Sequence, residues 1–380
     1  MKEHAQAISG QMAMLPQLPV LVGSDAPHPY QTDGSFINTF DFVTSAVAFL
    51  MDREEKDGAS HSDNAGVRVS IIIPVYNGRR TLGRALKSAM EQTVDKEVIV
   101  IDDCSTDGSD RVIGRFSDRV VAIRNEANIG PGPSRNRGIM QAKGRYVAFL
   151  DADDVLPDRS SLERMASLCD ASGLRICGSL RESRFRMRTV KEGMYREECG
   201  DGEGCCLDYK DTQVDYDYTN YIFDRGFLVE NGILFPDLRR YQDVPFLVNA
   251  MIHAGRYCVA PVTGYRYSMR SKPLAFDERM VSDLLKGMLM VLGMAEDNGL
   301  DQLRDRTMMR LRDQYTAQLE QAAESDSPEI EALLGCLIQR YGFSSPVLEG
   351  TGIDYVGIYG ESLKDADRSL LWTWLIKLYR

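Results

Sequence analysis

No stretch of this sequence stays apolar for the roughly 18 residues that a membrane-spanning helix needs. The longest candidate, Phe42 to Met51, is shorter and carries Thr44 and Ser45. Histidine is scarce, four residues in 380, and three of them (His4, His28 and His61) precede Val67, which disfavours a histidine metal centre. Eight cysteines are too sparse for a disulfide scaffold and suit a reducing cytosol. No basic excess is present: 45 basic against 56 acidic residues give a net charge of −11, which argues against nucleic acid as a partner because phosphate backbones demand clustered positive charge. Met1-Lys2-Glu3-His4 is not a basic flank followed by an apolar block, so no secretory signal is expected and the location expected is cytoplasmic. Collagen, coiled coil, membrane channel and secreted miniprotein are excluded. What remains is ordinary globular composition, 43% hydrophobic and 27% charged, long enough for two domains or one large domain with appendages.

Residues 1–66 read as an extension and linker. Pro16, Pro19, Pro27 and Pro29 interrupt the first thirty positions, a short helix is expected from about Asn38 to Met51, and Asp52 to Gly66 is charged and almost without apolar groups. The pattern changes at Val67. Val69 to Val75 is a β-branched run suited to a strand buried on both faces. Leu82, Ala85, Leu86, Ala89 and Met90 follow at helical spacing. Glu97 to Ile101, Val120 to Ile123 and Tyr146 to Leu150 read as further buried strands, with a helix over Pro133 to Ala142 between the last two. Strand alternating with helix at this rhythm predicts an α/β fold with a mostly parallel sheet covered on both faces. A helix from Ser161 to Ala171 opens a mixed region to about Lys272, with Tyr257 to Pro261 as a short strand. From residue 273 onward the reading is mainly helical: Met280, Leu284, Leu285, Met288 and Leu292 form one stripe ended by Asn298-Gly299, and Ser327-Pro328-Glu329 supplies a cap and a first-turn proline.

Ligands of open α/β sheets bind beyond the carboxyl ends of the strands. Three predicted strands run directly into polar loops there: Pro74 to Gly78, Asp102 to Gly108, and Asp151 to Asp154. Parallel strands put all three loops on one edge. Asp151, Asp153 and Asp154 crowd like charges that repel one another without a cation, and oxygen ligands suit Mg²⁺ or Mn²⁺. The plainer alternative is a solvated turn with Asp158 capping the next helix. Asp103 can accept from a nucleobase N–H or a ribose hydroxyl and Tyr76 offers a face for stacking, whereas Ser105 or Asp107 can simply cap a helix. Gly130 to Gly138 (GPGPSRNRG) is neither GxGxxG nor GxxxxGK[ST], so a dinucleotide fold and a P-loop both lose support. It leaves Arg135 and Arg137 on the first turns of a helix, where an anion is favoured and surface salt bridging is the alternative.

Together VSIIIPVYNGRRTLGRALKSAMEQT, EVIVIDDCSTDGS and NIGPGPSRNRGIMQAKGRYVAFLDADD resemble glycosyltransferase family 2, the inverting GT-A enzymes that use nucleotide sugars. The resemblance is close from Val67 to Asp158 and looser to about Lys272. It implies a Rossmann-like GT-A domain over 67–272, with a nucleotide-binding half at 67–158 and an acceptor half at 159–272, followed by a helical region at 273–380. It implies that Pro74 and Tyr76 line a base pocket, that Asp103 binds the base (commonly uracil), and that Arg135 lies near the nucleotide. Asp151 and Asp153 are similar to the family's DxD, contacting ribose and a Mn²⁺ or Mg²⁺ ion that bridges the diphosphate. Asp243, in Arg240 to Phe246, resembles the catalytic base, although Gln242 stands where the family carries a first acid. Arg270 or Lys272 resembles a diphosphate contact. The implied partners are a nucleotide-sugar donor, typically a UDP-sugar, and a saccharide or lipid-linked acceptor in polysaccharide or glycolipid biosynthesis.

Two other functions stay open at this level. One is a degenerate, non-catalytic nucleotide-sugar-binding protein, to which Gln242 gives some footing. The other is a sugar-nucleotide nucleotidyltransferase, opposed by Tyr76-Asn77-Gly78-Arg79 where a glycine-rich basic stretch is expected. Cys199, Cys205 and Cys206 read as free thiols in a loop, with a soft-metal site as the alternative. The Trp372, Trp374, Lys377, Tyr379 and Arg380 end reads as an amphipathic helix packed on the helical region, or else as a peripheral membrane contact. Homodimerisation is left open.

Overall fold

The computed structural model describes residues 66–185, 188–192, 204–268 and 275–364, all within a unit spanning Ala59–Arg380. The helix expected at 38–51, Cys199, Arg270, Lys272 and the terminal aromatic stripe lie outside the described residues.

Among the described residues, nine strands form one sheet. β1 (Val69–Val75) is central and pairs in parallel with β2 (Lys96–Asp102) and β4 (Tyr146–Phe149), while β2 pairs in parallel with β3 (Val121–Arg124). β4 continues through antiparallel β8 (Tyr221–Asp224) to β5 (Ile176–Phe185), then to parallel β9 (Arg256–Tyr267) and antiparallel β7 (Cys205–Asp208); β6 (Arg188–Glu192) pairs with β5. The fold is α/β with a mostly parallel centre.

The isoleucine run of β1 explains its central place. Side chains alternate across a strand, so Ile72 joins one core with Ile99, Val147 and Phe149, while Ile71 and Ile73 join the other with Leu82, Leu86 and Val100. Helix α1 (Leu82–Met90) buries Leu82, Ala85, Leu86 and Ala89, as its spacing predicts. α2 (Ser109–Gly114) follows β2, α3 (Pro131–Gln141) precedes β4, and α4 (Ser161–Ser172) ends at Gly173 in the left-handed conformation. Gly138 lets α3 lie close on the sheet: a Cβ there would stand 2.4 Å from Ile72 Cγ2.

Three local expectations need correction. β3 is an edge strand rather than a buried one, with Val121 45% exposed, because β2 covers it on one side only. β9 does not stop at Pro261 but runs 12 residues, since its register with β5 shifts there and a bulge tolerates a residue without an N–H. Ser327 leaves its side chain out of the cap of the helix that follows it, although Pro328 sits in the first turn as expected.

After β7 come α5 (Tyr209–Thr212), α6 (Arg225–Glu230) and α7 (Asp243–Ala254). The chain then runs through α8 (Glu278–Asn298), α9 (Asp301–Asp313), α10 (Thr316–Ala323), α11 (Pro328–Tyr341), α12 (Pro346–Glu349) and α13 (Tyr355–Lys364). Asp277 caps α8 by accepting from Met280 N at 2.8 Å, and Gly299 ends it. Leu284, Leu285 and Met288 of α8 share the Ile72 core with Val244, Phe246 and Leu247 of α7, so one apolar core joins these helices to a face of the sheet.

Candidate active site

The loops after β1 and β2 are sewn together at the carboxyl edge of the sheet. Asn77 N donates to Ser105 Oγ, Gly78 N to Ser109 Oγ, and Arg79 N to Asp107 Oδ2 at 2.9 Å, while Asn77 Oδ1 accepts from Thr106 N at 2.8 Å. Asn77 and Cys104 take positive φ to make these turns. Asp107 also accepts from Ser109 N, so it holds two loops as well as the start of α2. Pro74, next to last in β1, is half-buried, and Tyr76 follows the strand, 55% exposed.

Asp103 is buried and fully engaged. Its Oδ1 accepts from Asn125 Nδ2 at 2.8 Å and Ile129 N at 2.9 Å, and its Oδ2 accepts from Gly130 N at 2.9 Å. The amides that lead into α3 thus receive the chain's own carboxylate. Arg137 likewise points at Arg124 O and Asn125 Oδ1 rather than presenting itself to an anion. Gly132 serves packing, since a Cβ there would lie 2.8 Å from Pro236 O. Asp102 pairs with Arg124 and accepts from Ser105 N.

Past β4, the acids of the DADD loop divide. Asp151 Oδ1 accepts from Arg135 Nη2 at 2.8 Å and from Tyr218 Oη at 3.3 Å. Asp154 turns to β9, accepting from Tyr265 Oη and Ser268 N, both at 2.6 Å. Burial raises its carboxyl to about 7, against the lowering effect of those two hydrogen bonds. Asp153 is half-buried, and Arg84 holds its carbonyl oxygen at 2.7 Å. Asp151 and Asp153 lie two residues apart just beyond β4, with Asp154 serving structure.

Arg135 is the hub. Its guanidinium sits 5.0 Å from the Tyr218 ring centroid and 5.4 Å from that of Phe235, and its Nε and Nη1 are buried without a hydrogen-bond partner. Burial alone would lower its proton affinity; Tyr218 and Asp151 outweigh that, and Asp243 adds to the upward shift. Asn136, the next residue, pairs with Phe235 as one strand pairs with another: Nδ2 donates to Phe235 O at 2.8 Å and Oδ1 accepts from Phe235 N at 2.9 Å. That amide fastens the segment leading to Asp243 onto α3.

Asp243 is the first residue of α7 and half-buried. Burial raises its carboxyl above the ordinary range, with Arg135 and Arg240 pulling it back and Asp151 pushing it further up. Gln242 is buried, and its Cγ would be 3.3 Å from a Cβ at Gly132, so this residue packs where the resemblance places an acid.

The structure therefore brings Arg135, Asp151 and Asp243 into one electrostatic group and puts Pro74, Tyr76, Asp103 and Asp153 on the same edge of the sheet. Asn125 and Tyr218 join them unforeseen. Tyr218 carries no sequence signal, because it reaches the site from beyond β7. For a divalent ion, Asp151 and Asp153 form an all-oxygen pair, and Asp151 keeps Oδ2 outside its bonds to Arg135 and Tyr218. Such a pair fits Mg²⁺ or Mn²⁺, which take one or two carboxylates and complete their shell with phosphates and water. Among the described residues, the three ligand-type side chains that cluster within 4.8 Å are instead the buried thiols Cys169, Cys177 and Cys258. Two of these donate to backbone carbonyls, Cys177 to Gly178 and Cys258 to Ile176, as core thiols do. Cys205 departs from expectation: it lies on β7, paired with β9, and is disulfide-bonded, while Cys206 is free.

The chain is similar to known proteins in sequence and in fold. The chain is 34% identical over 213 residues to "Succinoglycan biosynthesis protein ExoO" of Rhizobium meliloti, across 53% of this chain and 61% of that protein. It is 30% identical over 213 residues to "Poly(ribitol-phosphate) beta-glucosyltransferase" of Bacillus spizizenii, across 54% of this chain and 32% of that protein. The chain thus spans less than two thirds of the length of either relative. Its fold matches the crystal structure of S. aureus TarS 1-349 in complex with UDP-GlcNAc, with a TM-score of 0.57 at 20% identity over 79% of this chain and 92% of that one. The family model for "Glycosyl transferase family 2" matches residues 70–226. Residues 70–226 thus match glycosyltransferase family 2, on a GT-A-like sheet that is followed by a helical region.

Proposed function

We propose that this protein is an inverting glycosyltransferase that moves a hexosyl or N-acetylhexosaminyl group from a UDP-sugar to a hydroxyl of a saccharide or lipid-linked acceptor in polysaccharide biosynthesis. The observation that carries the reading is Arg135, whose guanidinium binds Asp151 of the donor side at 2.8 Å and acts electrostatically on Asp243 of the acceptor side. The TarS neighbour was solved with UDP-GlcNAc, and the relatives named above act in polymer synthesis by their names, which supports a nucleotide-sugar donor and a saccharide product.

In this reading Tyr76 stacks on the base. Asp103 shapes the base pocket by holding residues 125–130 in place. Asp151 and Asp153 hold Mn²⁺ or Mg²⁺, which when bound supplies Lewis-acid stabilisation of charge on the diphosphate. Arg135 fixes Asp151 in one rotamer. Asp243 takes the proton from the acceptor hydroxyl as the oxygen attacks the anomeric carbon and the sugar–phosphate bond breaks, so one displacement inverts the configuration. Burial suits Asp243 to this work, because a raised proton affinity makes a carboxylate a stronger base near neutral pH.

The test is nucleoside diphosphate release from UDP-glucose, UDP-GlcNAc, UDP-galactose and GDP-mannose with Mn²⁺. Release from a UDP-sugar supports the reading. Tight UDP binding with no release from any donor, with or without saccharide acceptors, would favour the non-catalytic binding protein.

A further inference from the structure

We infer that helix α8 of the C-terminal helical region positions Asp243, through Asp283 and Gly287. The inference rests on the reading of Asp243 as the base and adds the residues that aim it.

Asp283 and Gly287 stand four residues apart, so they lie on one face of α8, a turn from each other. Both touch the short segment that delivers Asp243. Asp283, itself buried, accepts from Arg239 N through Oδ2 at 2.9 Å. Gly287 lies against Tyr241: a Cβ there would come within 2.9 Å of Tyr241 Cδ1 and 3.2 Å of Tyr241 O. Tyr241 adopts φ +64°, a left-handed conformation that bulky residues resist, two positions before Asp243. Its hydroxyl is buried without a hydrogen bond, so packing alone holds it.

That packing comes from the same helical region and its neighbour. The Tyr241 ring meets Tyr216 edge-on at 6.5 Å and Tyr315 at 6.2 Å. Arg310 of α9 lies 4.0 Å over the Tyr216 ring and, with Arg306, engages buried Asp215. A tyrosine forced into a costly backbone turn by surrounding contacts sets the direction in which the chain enters α7, and Asp243 is the first residue of that helix. Asp283 and Gly287 touch no reacting atom; they are positioning residues.

The experiment compares Gly287→Ala, Asp283→Ala, Asp283→Asn and Asp243→Asn in the full chain. It measures UDP affinity with Mn²⁺ by calorimetry, and kcat and donor KM with whichever nucleotide sugar of the panel releases its diphosphate fastest. Gly287→Ala and Asp283→Ala should lower kcat on the order of tenfold to a hundredfold, the range that small misplacement of a catalytic group brings, with UDP affinity and donor KM unchanged. Asp283→Asn keeps an oxygen for Arg239 N–H and should recover most of kcat. Unchanged kcat in both alanine variants, or equal losses of kcat and UDP affinity, overturns the inference. If Gly287→Ala does not fold, the two Asp283 variants decide it. Normal turnover by Asp243→Asn removes the base reading itself, whatever the α8 variants do.

Discussion

Arg135 Nη2 stands 2.8 Å from Asp151 Oδ1, and the pair is roofed by the Tyr218 and Phe235 rings. The same cation lowers the proton affinity of Asp243, which burial has raised. One buried charge therefore acts on two carboxylates to which the proposed mechanism gives different tasks.

Arg135→Met should separate those tasks. Removing the cation leaves burial and Asp151 to push the Asp243 carboxyl further up. A base acts only when deprotonated, so activity that is lost as pH falls should be lost at a higher pH in the variant. The acid limb of the kcat/KM profile should move upward from wild type. An unmoved limb, at whatever overall rate, would separate Arg135 from Asp243.

Asp153→Ala addresses the ion. Wild-type UDP affinity should rise on adding Mn²⁺ and fall back on chelation, whereas the variant should show the weak affinity in both conditions. Calorimetry checks this directly. An equal Mn²⁺ response in the variant would take Asp153 out of the metal set.

Asp103→Ala tests the loop. The substitution takes the acceptor from Ile129 N and strands Gly130 N and the Asn125 amide in a buried place, and an unpaired buried donor costs about 1–3 kcal/mol. Urea unfolding should show a loss of at least that order, together with weaker UDP binding. Full stability would mean that residues 125–130 are held by other contacts.

The central sheet was legible because β-branched runs and helical spacing are local signals. Val69–Val75, Leu82–Met90 and Tyr146–Phe149 fall where the pattern puts them. β3 is not legible as an edge strand, because neighbouring valines look alike at an edge and in a centre. Pro261 hid the second half of β9, since a bulge is a property of two strands and the sequence displays one at a time. Around the site, the acids stood out from their place after strands, but their division of labour did not. Nothing local distinguishes Asp154, which faces Tyr265, from Asp151, which faces Arg135, because both partners arrive from distant segments. The glycines of GPGPSRNRG look like a phosphate cradle, yet Gly132 and Gly138 exist for close packing that only the fold reveals. Tyr218 and Asp283 reach their places across more than 60 and 40 residues of chain, from Asp151 and Arg239 respectively, beyond the reach of any spacing rule.

The most direct trial is a donor panel run on wild type and Asp243→Asn side by side, reading nucleoside diphosphate release together with UDP binding. The account predicts Mn²⁺- or Mg²⁺-dependent release by wild type, loss of at least about 10²-fold in the variant, the scale on which general bases contribute, and UDP affinity nearly equal in the two. Wild-type-like release by Asp243→Asn, or a wild type that binds UDP and turns over no donor, would contradict it.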